Sequence, residues 1–233
     1  MQRLERKTRL EIHHVWHEDR GFRKCEILNR AIERARGDYL IFSDGDCIPR
    51  WDFVERHLAS ARSGYFLSGG AVRLTMPVSR RITIGDVVYR RATERSWLRA
   101  AGLPWSRRLL LLNVSPLWAS CLDALTTTRA TWNGGNASGW KADILRVNGF
   151  DERMAYGGED RELDERLVNL GIRPRQVRHR AVCVHLDHSR GYVQEEGIAW
   201  NQALRRETRL RRLVWTEHGI VQPSSAGEAR KAA

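Results

Sequence analysis

The sequence predicts an α/β fold, a Rossmann-like mixed sheet flanked by helices. Short apolar runs of strand length alternate with segments of helical periodicity, and the run Tyr39-Leu40-Ile41-Phe42 discharges straight into the acidic turn Ser43-Asp44-Gly45-Asp46. With 233 residues, 42% of them hydrophobic, the chain suits one domain with a sizeable core.

Taken in order, Leu10 to Trp16 reads as a short strand. Gly21 to Arg36 reads as a helix, because Ile27, Leu28, Ala31, Ile32 and Ala35 recur at helical spacing. Gly37-Asp38 ends it before the buried strand Tyr39 to Phe42. Pro49 and then Trp51 to Ala61 look like the next helix, and Tyr65 to Leu74 returns as a strand interrupted by Gly69-Gly70. The segment from about 77 to 125 is a basic helical insertion. It carries Arg80-Arg81, Arg90-Arg91 and Arg107-Arg108, with Trp97, Trp105 and Trp118 among them and the run Leu109 to Leu112. It is expected to pack on the domain with its arginines in water, and basic helices bearing Trp and Leu can also lie on an anionic membrane. Further on, Glu159 to Leu170 is an amphipathic helix stopped by Gly171, Ala181 to Leu186 is a strand, and Val193 to about Val214 a last basic helix. The expected division is a catalytic domain over 1–190, a basic helical segment over 191–221 and a disordered tail over 222–233.

The charge narrows the partners. Forty Lys and Arg against 28 Asp and Glu give a formal charge of +12, nearly all of it from Arg, whose fork suits phosphate and carboxylate. An anionic substrate or surface is implied. The arginines are spread along the whole chain without a nucleic-acid-binding signature, so no specific nucleic acid is expected. The four cysteines form no C-x-x-C pair, which suggests neither a disulfide framework nor a zinc site and fits a reducing cytoplasm. The opening residues are charged where a leader needs an apolar core, and no run approaches the ~20 apolar residues of a membrane span. The expected location is the cytoplasm, free or peripheral at the inner face of the cell membrane.

Three clusters carry chemistry. Asp44 and Asp46, separated by one glycine at the end of a buried strand, can aim hard oxygen ligands at one ion, Mg²⁺ or Mn²⁺; taken alone, Asp-Gly-Asp is also common turn chemistry. In Gly157-Gly158-Glu159-Asp160 two acidic residues open a helix. They can simply complement the helix dipole, or remain ionised there and accept a proton from an attacking hydroxyl. His185 and His188, at the end of an apolar strand, can complete a metal shell.

These residues carry a family resemblance. GDYLIFSDGDCIPRWDFVERHL resembles the DxD region of family 2 glycosyltransferases, and GGNASGWKADILRVNGFDERMAYGGEDRELDERLVNLGI is similar to the acceptor-side half shared with the galactosyltransferase carboxyl-terminal domain. With EDRGFRKCEILNRAIERARGD upstream, the resemblance spans about residues 14 to 190 apart from the insertion, and is greatest to bacterial enzymes of lipopolysaccharide or other envelope polysaccharide assembly. It implies a GT-A fold and inverting transfer of a sugar from a nucleotide-sugar donor to a glycan or lipid-linked acceptor. It implies Asp46 as metal ligand, Asp44 at the ribose or metal shell, His185 as third ligand with His188 the lesser choice, Asp160 as general base and Glu159 on the sugar or acceptor. Arg23 and Lys24 would lie near the diphosphate, Asn29 near the nucleotide, and Gly134, Gly135 and Asn136 along the sugar pocket. The pattern departs from the family at its start, where the opening strand–helix–strand unit is expected and only nine residues precede Leu10. Two other readings follow: a truncated, non-catalytic remnant serving as a binding or scaffold protein, and a polyanion binder driven by arginine.

Overall fold

The computed structural model describes residues 10–189 and 194–222. The expected disorder of the tail concerns 223–233, which lie outside the described residues, apart from Gln222.

Helix α1 (Lys24–Arg34) leads to strand β1 (Tyr39–Phe42), the acidic turn, β2 (Cys47–Pro49), helix α2 (Phe53–Ser60), β3 (Tyr65–Ser68) and β4 (Gly70–Arg73). The insertion contributes α3 (Met76–Arg81), α4 (Ile84–Val88), α5 (Arg95–Ala100) and α6 (Pro116–Ala124), with 3-10 turns at Arg91–Thr93 and Arg107–Asn113. Then come β5 (Ala137–Trp140), α7 (Lys141–Arg146), α8 (Glu159–Asn169), β6 (Arg173–Gln176), β7 (Val182–His185) and α9 (Glu195–Leu210).

The strands form two mixed sheets, one ordered β1-β5-β3-β6 and the other β2-β7-β4. In the first, β5 is antiparallel to β1 and β3, while β6 runs parallel to β3. In the second, β7 is antiparallel to β2 and parallel to β4. The chain therefore passes from the first sheet into the second three times, through the acidic turn between β1 and β2, at Gly69 between β3 and β4, and between β6 and β7.

Each sheet has its own core. Ile32, Phe66, Trp132, Ile144, Phe150 and Leu163 cluster against the four-stranded sheet and α8. Val72, Val78, Leu98, Leu109, Val182 and Val184 cluster between the three-stranded sheet and the insertion. Alternation within the Leu109–Leu112 run is thereby resolved: Leu109, Leu111 and Leu112 are buried and Leu110 is exposed.

Several expectations are corrected. Residues 10–16 carry no regular structure. Leu10 and Trp16 are exposed, Ile12 and Val15 are half-buried, and the segment joins neither described sheet. Strands β5 and β6 lack apolar runs for opposite reasons. The small residues of β5 (ASGW) let a central strand pass close to Trp132: a Cβ on Gly139 would stand 3.2 Å from its ring. In β6 (RPRQ) a proline is tolerated because the strand lies at the sheet edge. The last helix is also closely integrated. Leu204 of α9 joins the main core, and Arg205 and Arg209 donate to Glu165 on α8 at 2.7 Å each.

A buried polar network closes the seam between the sheets. Asn136, wholly buried, donates to the carbonyls of Gly70 and Ala181 at 2.9 and 3.0 Å. His57 Nε2 lies 2.9 Å from Asn136 Oδ1, His57 Nδ1 lies 2.7 Å from Ser138 Oγ, and Tyr39 completes the chain at 2.7 Å from that hydroxyl. Burial pushes the His57 imidazole down to about 4, so it is neutral and can donate at Nε2 while accepting at Nδ1. Glycines make the approach possible: a Cβ on Gly69 would stand 1.9 Å from Asn136 Oδ1, and one on Gly70 2.1 Å from the Arg178 carbonyl. Replacing Asn136 with Ala removes the side-chain donor to two carbonyls and leaves the His57 imidazole N–H without its acceptor. The expected cost is about 2–5 kcal/mol, seen as a lower denaturant midpoint; a change under about 0.5 kcal/mol would refute the role of this amide.

Candidate active site

The turn that crosses the seam also presents the acidic pair. Cys47 N donates to the Asp44 carbonyl at 3.0 Å, closing the turn, and Leu186 N donates to the Asp46 carbonyl at 2.9 Å, tying it to the end of β7. Both carboxylates line a cavity of about 760 Å³ together with Lys24, Gly134, Gly135, Glu159, Asp160, His185 and His188. Clusters distant in sequence thus share one space.

Asp46 faces the two histidines. Its Oδ2 is 2.9 Å from His188 Nε2 and 3.4 Å from His185 Nε2. Cys47 also belongs here: among the described residues, one donor atom each from Asp46, Cys47 and His185 lie within 4.8 Å of one another, a grouping that can hold a metal ion. Strand pairing explains it, because Cys47 and His185 are directly opposite in the β2–β7 ladder and project from one face.

Asp44 faces a cation. Lys24 Nζ is 2.8 Å from Asp44 Oδ1 and 3.8 Å from Glu159 Oε1, so one ammonium bridges the acidic turn and the start of α8. Burial works against that charge, but Asp44, Glu159 and Asp160 together outweigh it and raise the Lys24 pKa.

Gly157 and Gly158 enter α8 with φ of 104° and 102°, a backbone region that favours glycine. Asn201 of α9 holds this entry from behind, accepting from Ala155 N at 3.0 Å and donating to the carbonyls of Ala155 and Gly157 at 2.8 and 3.0 Å. Glu159 accepts from Gly157 N at 3.1 Å, while Asp160 accepts from Gly134 N at 3.3 Å and Arg161 N at 2.8 Å. A helix N-terminus by itself favours the ionised form, yet both pKa values are raised, first by burial and, for Glu159, next by the charge of Asp160. Desolvation outweighs the dipole.

Three expected residues sit elsewhere. Arg23 turns onto Glu26, with two contacts of 2.7 Å, while Lys24, one helical step of about 100° further round, enters the cavity. Asn29 is buried, bonded to the Phe150 amide and carbonyl at 2.8 and 2.9 Å, where it fixes the loop after α7 to α1. Asn136 lies behind the cavity in the seam network. Conversely, Arg73, Arg108, Arg129, Arg161 and Arg178 line the cavity with Cys47. Arginine so abundant offers no local signal; only the fold distinguishes these five.

Residues 6–101 match the family model described as glycosyl transferase family 2, and residues 126–189 match one described as the N-terminal domain of galactosyltransferase. None of the curated proteins compared matches the chain. Among solved structures it is similar to GalNAc-T7 with UDP, GalNAc and Mn²⁺, at 14% identity over 84% of this chain and 37% of that one, TM-score 0.49. It is also similar to the mannosyltransferase PcManGT of Pyrobaculum calidifontis in complex with GDP-Man and Mn²⁺, at 19% identity over 83% of this chain and 42% of that one, TM-score 0.43. A third likeness, to a mycobacterial protein, has 18% identity over 86% of this chain and 54% of that one, TM-score 0.38. The chain thus spans between 37% and 54% of the length of these three structures.

Proposed function

We propose that this chain is a GT-A-type, metal-dependent inverting glycosyltransferase that holds a nucleotide-diphosphate sugar in the Asp44–Asp160 cavity and passes the sugar to a hydroxyl of a glycan or lipid-linked acceptor. One observation carries this reading: a single cavity gathers the acidic turn, the strand-end histidines and the acidic start of α8, with Lys24 between them. The two matched segments, which follow one another along the chain, support it.

The donor set can hold a divalent ion, the place that the resemblance gives to Mn²⁺ or Mg²⁺. Asp46 Oδ2 and His185 Nε2, 3.4 Å apart, would hold it. When bound, such an ion neutralises charge on the departing nucleoside diphosphate. The chain supplies the remaining steps. Lys24, with Arg73, Arg108 and Arg178, offers donors to phosphate oxygens, and Asp44 lies beside them for the ribose or the metal shell. Gly134 and Gly135 let the sugar approach the loop backbone. Asp160 takes the proton from the attacking acceptor hydroxyl, and its raised pKa makes it a stronger base than an exposed carboxylate. Glu159 holds a hydroxyl of the sugar or acceptor.

The resemblance to envelope-polysaccharide enzymes supports a bacterial envelope glycan or lipid-linked acceptor, and the insertion supports contact with an anionic membrane. Ile84 and Leu117 are each 84% exposed, with Val88, Trp118 and Leu125 also open to solvent. Arg90 lies over the exposed Trp51 ring at 5.2 Å. No helix among the described residues is long and apolar enough to cross a membrane, so the expected contact is interfacial.

A screen of nucleotide sugars with Mn²⁺ should reveal metal-dependent transfer or hydrolysis. Asp46→Ala and Asp160→Asn should each lower kcat at least about 100-fold, and full activity in both would remove the mechanism. Because Asp160 must be deprotonated to act, activity should fall as pH drops through a pKa above the ordinary aspartate range; a flat profile through that region contradicts its role as base. In co-sedimentation with phosphatidylglycerol vesicles at low salt, the protein should pellet and Leu117→Glu should weaken binding about tenfold or more. Absence of binding at low salt would leave the insertion as ordinary packing.

A further inference from the structure

We propose that Cys47 supplies a thiolate ligand to the metal site, so that the site takes Zn²⁺ and Co²⁺ in preference to Mg²⁺ and Mn²⁺; this rests on the reading of Asp46 and His185 as metal ligands. No pairwise spacing of cysteines points to it. The fold does. Cys47 follows Asp46 directly and stands opposite His185 in the β2–β7 ladder, so strand pairing alone brings sulfur, imidazole and carboxylate to one place. Its Sγ lies 3.8 Å from Asp46 Oδ1. Gly135 leaves room above it, since a Cβ there would stand 3.0 Å from the sulfur.

The donor types then decide the metal. A hard cation such as Mg²⁺ prefers oxygen ligands throughout, whereas one sulfur, one imidazole nitrogen and one carboxylate oxygen form a set suited to Zn²⁺ or Co²⁺ with room for a further ligand. In this set Asp44 is already matched by Lys24 at 2.8 Å, which leaves Asp46, Cys47 and His185 as the cluster facing an incoming ion. On binding, the sulfur–metal bond replaces the S–H bond and the thiol proton leaves to solvent. The neighbouring Cys183, which hydrogen-bonds Cys47, is the second thiol to be told apart. It is buried and lies 3.6 Å from the Gly70 carbonyl and 3.8 Å from that of Gly135, and it falls outside the donor group.

The test is Co²⁺ titration followed by absorption. The wild-type protein should develop a near-ultraviolet thiolate-to-cobalt charge-transfer band that stoichiometric Zn²⁺ abolishes. The band should be lost in Cys47→Ser and kept in Cys183→Ser. Cys47→Ser should weaken Zn²⁺ binding by on the order of 100-fold or more while Mn²⁺ binding changes far less. A measurement on the unmodified chain guards against misfolding of the variants: Zn²⁺, and not Mg²⁺, should protect Cys47 from alkylation, read by peptide mass spectrometry. Cobalt binding that depends on Asp46 yet gives no thiolate band, or a band that survives Cys47→Ser, overturns the role of Cys47 and leaves the metal site standing. Failure of the wild-type protein to bind either Mn²⁺ or Co²⁺ sinks both readings.

Discussion

The side-chain amide of Asn136 is the constraint on which the rest of the structure depends. Two small sheets meet at this side chain, and the backbone carbonyls of Gly70 and Ala181, at the start of β4 and just before β7, take side-chain donors there. Asn136 supplies both, and His57 in turn satisfies its oxygen. Every member of the chain from Tyr39 through Ser138 and His57 to Asn136 has a partner, so the network holds the sheets in one relative position without leaving a buried polar atom unpaired. Because Gly134 and Gly135 immediately precede Asn136, the same amide fixes the loop that meets Asp44 and Asp160. The positions of the chemical groups are therefore inherited from a seam that carries no chemistry itself.

Charge balance within the cavity follows from that geometry. Four carboxylates, those of Asp44, Asp46, Glu159 and Asp160, line one space with Lys24 inserted among them. Burial raises the pKa of the α8 pair, whereas the surrounding anions keep Lys24 charged. Such a site holds negative charge that an incoming cation can relieve, and it carries arginines around its rim for an anionic ligand. A cation and a polyanion arriving together satisfy both halves at once.

Much of this was legible in the sequence. The run Tyr39–Phe42 and its acidic sequel, the Gly69-Gly70 break, the amphipathic α8 and the strand ending at His185 all announce themselves through local pattern, and each lies where the pattern puts it. Illegible parts are those decided by distant contacts. Strand β5 has no apolar run because it passes beneath Trp132, and β6 carries a proline because its place is an edge. Residues 10–16 have strand-like composition but carry no regular structure. Within the site, Asp44, Asp46, Glu159, Asp160 and His185 follow from motif, whereas Cys47 enters only through the ladder register, and Arg73 and Arg178 only through the walls of the cavity. Asn29 and Asn136 resemble binding residues in sequence because amides serve ligands and backbones alike. Only burial tells the two uses apart.

The central claim is that the acidic turn, the strand-end histidines and the opening of α8 form one site for a metal and a nucleoside diphosphate together. Calorimetric titration with UDP and with GDP, each with Mn²⁺ and again with chelator, tests it most directly. At least one of the two should bind appreciably only when the metal is present. Equal affinity with and without metal, or no binding of either in both conditions, would contradict it.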